Sequence, residues 1–213
     1  MRDRSENQIK LILIRHGATK SNAEHKYLGK TNEALSSNGK MQLMENKKLQ
    51  LYPDIDLLFT SPMKRCLQTA EILYPTLCPI QMKEWVEMDF GIFEGKNYMD
   101  LKDDIQYQAW IDSNGLLPFP NGESREEFIA RCDKGFQKML NQIKLLKEEK
   151  NITDTPTIGM IVHGGTIMAL LSKYGEGEYF DYQVTNGTGY ICMVKDIDAK
   201  PNLIQLEKIE QEF

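Results

Sequence analysis

Residues Ile9 to Ile14 form a short, almost wholly apolar run that stops at Arg15 and His16. A strand with one wet face alternates apolar and polar side chains, whereas a parallel strand covered on both faces reads as a continuous apolar stretch. Parallel strands need long crossovers, usually helical, and the rest of the chain supplies them. A helix is expected from about Ser37 to Leu49, capped by Ser36 or Ser37. Ile55 to Thr60 reads as a second buried strand, Met63 to Leu73 as the helix after it, and Ile80 to Val86 as a third strand. Ser124 and Glu127 form a capping box that opens a long helix to about Glu149. Thr157 to Val162 is another buried strand, followed at once by His163, Gly164, Gly165 and a helix. Strands near Tyr190 to Val194 and Leu203 to Ile209 complete the set. The expected fold is α/β, a mostly parallel sheet with helices on both faces.

Residues 89 to 123 break this rhythm. They hold Phe90, Phe93, Tyr98, Tyr107, Trp110 and Phe119, and end in Pro118, Pro120, Asn121 and Gly122. This stretch reads as an insertion with one short helix, a cap lying over the carboxyl ends of the strands. Its aromatic side chains are expected first of all to form a small satellite core. Met41 and Met44 are expected to pack their own helix against the main core. No repeat, low-complexity tract or linker divides the 213 residues, which are expected to form one domain carrying that insertion.

The net charge of −5 disfavours nucleic acid as a partner. It leaves room for a phosphate-ester substrate, because a pocket can be cationic inside an acidic protein. No apolar stretch approaches the roughly 18 residues of a membrane span, and KLILI is too brief for a signal-peptide core. No membrane partner is therefore expected, and the cytoplasm is the expected location. Cys66, Cys78, Cys132 and Cys192 show no C-x-x-C pair and are expected as free, buried or half-buried thiols.

Open sheets of this kind bind ligands at the carboxyl ends of their strands, and the chemistry of this sequence is concentrated there. Arg15 and His16 end the first strand, Arg65 follows the second, Glu87 follows the third, and His163 ends a later one. Two arginines, two histidines and a carboxyl group at one sheet edge suit phosphoryl transfer. Guanidinium forks match phosphate oxygens and stay charged. Helix N-termini near Arg65 and Gly164 add free backbone N–H groups. A neutral imidazole is a competent nucleophile, and a carboxyl group can protonate a leaving oxygen and then deprotonate water. His16, His163 and Glu87 could also be read as zinc ligands, but the nearby arginines would repel a dication. No metal or other cofactor is expected.

The segment LIRHGATKSN resembles the signature of the histidine phosphatase superfamily, which contains cofactor-dependent phosphoglycerate mutase. FTSPMKRCLQTA, EWVEMDFGIFEG and IVHGG resemble its later motifs, in the family's order. The resemblance implies His16 as the phosphorylated residue, with Arg15, Arg65 and His163 binding phosphate and Glu87 as the proton donor. It further implies that Asn22 contacts the phosphoryl group, that Thr19 and Gly29 lie in the binding loops, and that Gly164 contributes backbone. In the mutases a basic residue typically follows the catalytic glutamate; here Met88 stands there, which weakens a mutase reading. The insertion instead resembles the cap of bacterial α-ribazole phosphatases, which act in cobalamin synthesis and whose substrate carries a ring that aromatic side chains could stack upon.

The expected activity is therefore a phosphomonoesterase acting on a small soluble phosphate ester. The alternatives are a phosphoglycerate mutase, or a non-catalytic module that binds a phosphate ligand. Glu84 and Glu94 compete with Glu87 for the acid role, and His25 reads as a loop or surface residue. The oligomeric state is left open.

Overall fold

The computed structural model describes residues 8–149, 151–153, 155–197 and 200–209. The chain begins with β1 (Ile9–Arg15), α1 (Lys20–Ala23), α2 (Ser37–Lys48), β2 (Leu57–Thr60), α3 (Lys64–Leu73) and β3 (Ile80–Gln81). The cap carries α4 (Tyr98–Leu101) and α5 (Ile105–Asp112). Then come α6 (Arg125–Glu148), β4 (Thr157–Val162), α7 (Gly164–Tyr174), β5 (Gly189–Lys195) and β6 (Asn202–Ile209). The six strands lie in the order β3-β2-β4-β1-β5-β6. Contacts β1–β4, β2–β4 and β2–β3 are parallel, while β5 runs antiparallel to both β1 and β6.

β1 shows why its sequence carries no alternation. Ile9, Leu11 and Leu13 enter one apolar cluster with Phe128, Phe136 and Ile167 of α6 and α7. Ile12 and Ile14 enter the other, with Leu43, Cys66 and Leu73 of α2 and α3. Each such buried aliphatic side chain contributes about 1.5–3 kcal/mol. The parallel register then fixes the site. Arg15 lies opposite Val162, and Thr60 opposite Ile161. His16, Ser61 and His163, the residues next after those strand ends, consequently emerge side by side on one edge.

Several expectations are corrected. The third strand is only two residues long, because the chain turns into a 3-10 helix over Lys83–Trp85. That turn buries Trp85, whose indole N–H donates to the Cys132 carbonyl of α6 at 3.2 Å. The second strand starts at Leu57, not Ile55. The insertion holds two α-helices, not one, each opened by a side-chain cap: Asn97 for α4 and Asp104 for α5. Met41 and Met44 are 55% and 50% exposed, because the buried stripe of α2 is Gly39, Leu43 and Asn46. Cys78 is exposed, whereas Cys66, Cys132 and Cys192 are buried and free. The cap aromatics do not form a separate satellite core: Phe93, Tyr107 and Phe119, buried against Tyr27 and Trp110, continue the apolar cluster that holds Ile9, Leu11 and Leu13. Among the described residues no helix is long and apolar enough to cross a membrane.

Candidate functional site

Arg15, His16, Arg65, Glu87 and His163 converge. The two imidazole rings lie 5.2 Å apart at 69°. The His163 Nδ1 is 3.9 Å from a Glu87 carboxyl oxygen. Arg65 is fully buried; its Nη1 donates to the Thr31 carbonyl and its Nη2 to the Gly29 carbonyl, both at 2.9 Å. Arg15 is half-buried and donates from Nη1 to the Val184 carbonyl at 2.6 Å. In both guanidinium groups the buried Nε has no hydrogen-bond partner among the described residues.

The tautomer of His16 follows from its surroundings. Its Nδ1 lies 2.7 Å from the Gly17 carbonyl, an acceptor only, so Nδ1 carries the proton and Nε2 keeps its lone pair. Burial, reinforced by Arg65 and Arg15, holds the imidazole well below its ordinary 6.5. Burial likewise depresses His163, again with Arg65 adding to the effect. Glu87 moves the other way: burial raises it above 4.5, against the opposing pull of the Met88 N–H and the two arginines. Burial thus works against charge on both partners of the His163–Glu87 contact. Two guanidinium groups facing one carboxyl group leave the cluster suited to an added anion.

These shifts make a stability prediction. Unfolded histidine protonates near 6.5, so below that pH the unfolded chain takes up protons that folded His16 and His163 refuse. Stability held above about 6.5 is therefore lost as the pH falls, by at most about 1.4 kcal/mol per pH unit for each histidine. Glu87, raised in the fold, works in the opposite sense between its folded value and 4.5. Two histidines outweigh one carboxyl group. Calorimetry should show Tm falling from pH 7 to pH 5, and falling less steeply in His163→Gln.

The remaining expected residues take distinct places. Asn22 lines a polar cleft of about 540 Å³ with Arg15, Tyr27 and Asn186. Its Oδ1 accepts from the Thr19 N–H at 3.1 Å and from Asn186 at 3.2 Å. Its own amide N–H groups have no acceptor among the described residues. Thr19 is fully buried and its hydroxyl caps α1, so it shapes the loop from behind. Gly29 offers its N–H to Glu94 and its carbonyl to Arg65. A side chain at Gly29 would meet the Met88 carbonyl at 2.1 Å, which is why the loop passes there only as glycine. Gly164 opens α7, where the first N–H groups of the helix are free of intrahelical partners. Gly165 packs against the Glu87 carboxyl, where a side chain would meet its Oε1 at 2.7 Å. His25 is exposed, as expected for a loop residue, but it lines the same cleft as Arg15.

The two rival carboxylates are occupied elsewhere. Glu84 pairs with Lys138, and Glu94 accepts from the Gly29 and Thr31 N–H groups at 3.0 Å. Sequence reasoning missed Ser61, Asn186 and Arg131. The Ser61 hydroxyl lies 2.8 Å from His163 Nε2 and already accepts from the Met63 N–H. Its single proton can go to Nε2, which leaves the imidazole proton on Nδ1, facing Glu87. Its position at a strand's carboxyl end was the available signal. Asn186 donates to the His16 carbonyl at 3.0 Å. Arg131 gathers the Glu87 loop: its Nη1 donates to the carbonyls of Glu84 and Val86 at 2.7 Å, while Nε and Nη2 grip the Glu123 carboxylate. Nothing in the local pattern around Asn186 or Arg131 marks them.

An α/β sheet whose parallel strands end in this cationic, imidazole-lined cluster places the chain among proteins that handle phosphate. It belongs to the histidine phosphatase superfamily (branch 1), whose family model matches residues 11–200. The uncharacterized phosphatase PhoE of Bacillus subtilis is 32% identical over 170 residues, 79% of this chain and 78% of the relative. The adenosylcobalamin/alpha-ribazole phosphatase of Escherichia coli K12 is also 32% identical over 170 residues, 78% of each chain. The crystal structure of the alpha-ribazole phosphatase from Shigella flexneri superposes with a TM-score of 0.71. It is 23% identical and covers 96% of this chain and 99% of that one, a likeness of fold. The superfamily and its phosphatase-named members support a phosphatase role here.

Proposed function

We propose that the protein is a phosphomonoesterase working through a phosphohistidine intermediate on a small phosphate ester of the cytoplasm. The observation that carries this reading is the His16 imidazole, its Nδ1 proton on the Gly17 carbonyl and its Nε2 lone pair free, beside the Arg15 and Arg65 guanidinium groups, whose buried Nε atoms have no partner among the described residues. The phosphoryl group docks against Arg15, Arg65, His163, Asn22 and the Gly164 backbone. His16 Nε2 attacks phosphorus in line as the bond to the alcohol oxygen breaks and Glu87 gives that oxygen its proton. Glu87, now a carboxylate beside two arginines, then takes a proton from water. The water oxygen attacks phosphorus, the P–N bond breaks, and His16 regains its neutral form.

Within this class, α-ribazole 5′-phosphate is the ester we favour. The named activity of the E. coli relative and the aromatic cavity beside Glu87 support it. The test is phosphate release across α-ribazole 5′-phosphate, sugar phosphates, nucleotides, phosphoserine and phosphoglycerates. Release from α-ribazole 5′-phosphate with the highest kcat/KM is the expected result. Isomerisation of 3-phosphoglycerate, stimulated by 2,3-bisphosphoglycerate and without phosphate release, would replace the hydrolase by a mutase. Tight binding with no turnover on any ester would make the protein a phosphate-ligand module.

A further inference from the structure

Beside the phosphate cluster lies a second cavity of about 220 Å³. Glu87 and Gly165 line it next to the cluster, and Tyr27, Trp110 and Phe119 supply aromatic wall. Another stretch of wall is Arg125, which opens α6, with Tyr179 and Phe180 from the segment after α7. The guanidinium carbon of Arg125 sits 5.1 Å from the Tyr179 ring centre and 4.9 Å from that of Phe180. One of its N–H groups donates to the Asn114 carbonyl at 2.5 Å. The others find no acceptor, and the residue no carboxylate, among the described residues.

One more donor shares this condition: the buried Trp110 indole N–H has no partner among the described residues. Tyr179, nine-tenths buried, gives its ring to the wall. Tyr179 shares this cavity with both Glu87 and Arg125. The charges acting on His16, by contrast, are Arg65 and Arg15. This part of the cavity therefore has apolar faces, several unpaired donors and one uncompensated positive charge. A buried donor without a partner, such as the Trp110 N–H, is costly, and a ligand that supplies an acceptor removes that cost, while the free Arg125 N–H groups favour an acceptor beside them. Flat rings stack on the aromatic wall, and a cationic head is repelled.

We infer that the alcohol released by this protein carries a flat, largely apolar ring that bears, away from the phosphate, a hydrogen-bond acceptor such as a heterocyclic nitrogen, carbonyl or carboxylate. Arg125 is the specificity-determining contact for that acceptor. This rests on the phosphomonoesterase reading above, with the cavity taking the leaving group.

The test uses three aryl phosphates that differ only at the far end of the ring: 4-carboxyphenyl, 4-methylphenyl and 4-(aminomethyl)phenyl phosphate. Binding is measured by calorimetry to the full-length His16→Ala protein, so that the order is read without turnover. The carboxyl ester should bind about tenfold more tightly than the methyl ester, the yield of one charge-assisted hydrogen bond, and the aminomethyl ester more weakly than both. Adding Arg125→Met should bring the carboxyl-to-methyl ratio to about one, and Arg125→Lys should restore part of it. Equal binding of the three esters to the His16→Ala protein overturns the inference, and needs no Arg125 variant. A preference that survives Arg125→Met overturns it too. Failure of the phosphatase reading has a separate signature: no phosphate release from any of the three esters by the unmodified protein, whatever their order of binding.

Discussion

Replacing His16 by alanine is expected to lower kcat by on the order of 10⁴-fold or more, since the variant has no atom on which to form the covalent intermediate. The fold should survive. The imidazole makes one polar contact that the structure depends on, Nδ1–H to the Gly17 carbonyl, and its loss costs about 1–3 kcal/mol. The Gly17 loop keeps a second anchor, its N–H donating to Thr69 at 3.0 Å. Phosphate affinity should also persist, because Arg65 is held by the Thr31 and Gly29 carbonyls and Arg15 by that of Val184. Removal of the side chain disturbs none of these bonds. Rapid quench of the unmodified protein should trap an acid-labile, alkali-stable phosphoryl adduct that the variant never shows. Undiminished phosphate release by a clean preparation of His16→Ala would sink the nucleophile assignment.

Why this site could be read from residues, while parts of its frame could not, is a matter of range. Arg15, His16 and His163 stand at the ends of strands buried on both faces, and such strands announce themselves by unbroken apolar runs. Once the sheet is parallel, their carboxyl ends share an edge. The partners that orient them are remote in sequence and leave no periodic trace. Ser61 meets His163 across 102 positions, and Asn186 meets His16 across 170. The β3 error has a similar origin: Ile80 to Val86 has strand-like composition, but the burial of Trp85 and the Glu84–Lys138 pair bend it toward α6. The cap helices span four and eight residues, too few for a hydrophobic period to show. Their capping residues, Asn97 and Asp104, were the legible cue. On α2 the apolar pattern misled, since Met41 and Met44 lie off the stripe set by Gly39, Leu43 and Asn46.

Glu87→Gln is expected to divide substrates by the quality of their leaving groups. The amide is nearly isosteric and can still accept from the Met88 N–H, which the carboxyl receives at 2.9 Å, so the loop should hold its shape. What it loses is the transferable proton. In the unmodified protein burial keeps that proton on Glu87 above 4.5, ready for an alkoxide that cannot depart uncharged by itself. With an alkyl ester such as α-ribazole 5′-phosphate, the variant should therefore stall before the intermediate, slowed by about 10²–10⁴-fold. With p-nitrophenyl phosphate the leaving phenolate needs no proton, so His16 should still be phosphorylated. Hydrolysis of the adduct then lacks its base. Stopped-flow measurement should show a burst of nitrophenolate approaching one per site, followed by slow turnover, while the phosphohistidine accumulates. Equal slowing of both esters with no burst would move the acid–base role away from Glu87. It could not move easily to Glu84 or Glu94, whose carboxylates are already committed to Lys138 and to the Gly29–Thr31 backbone.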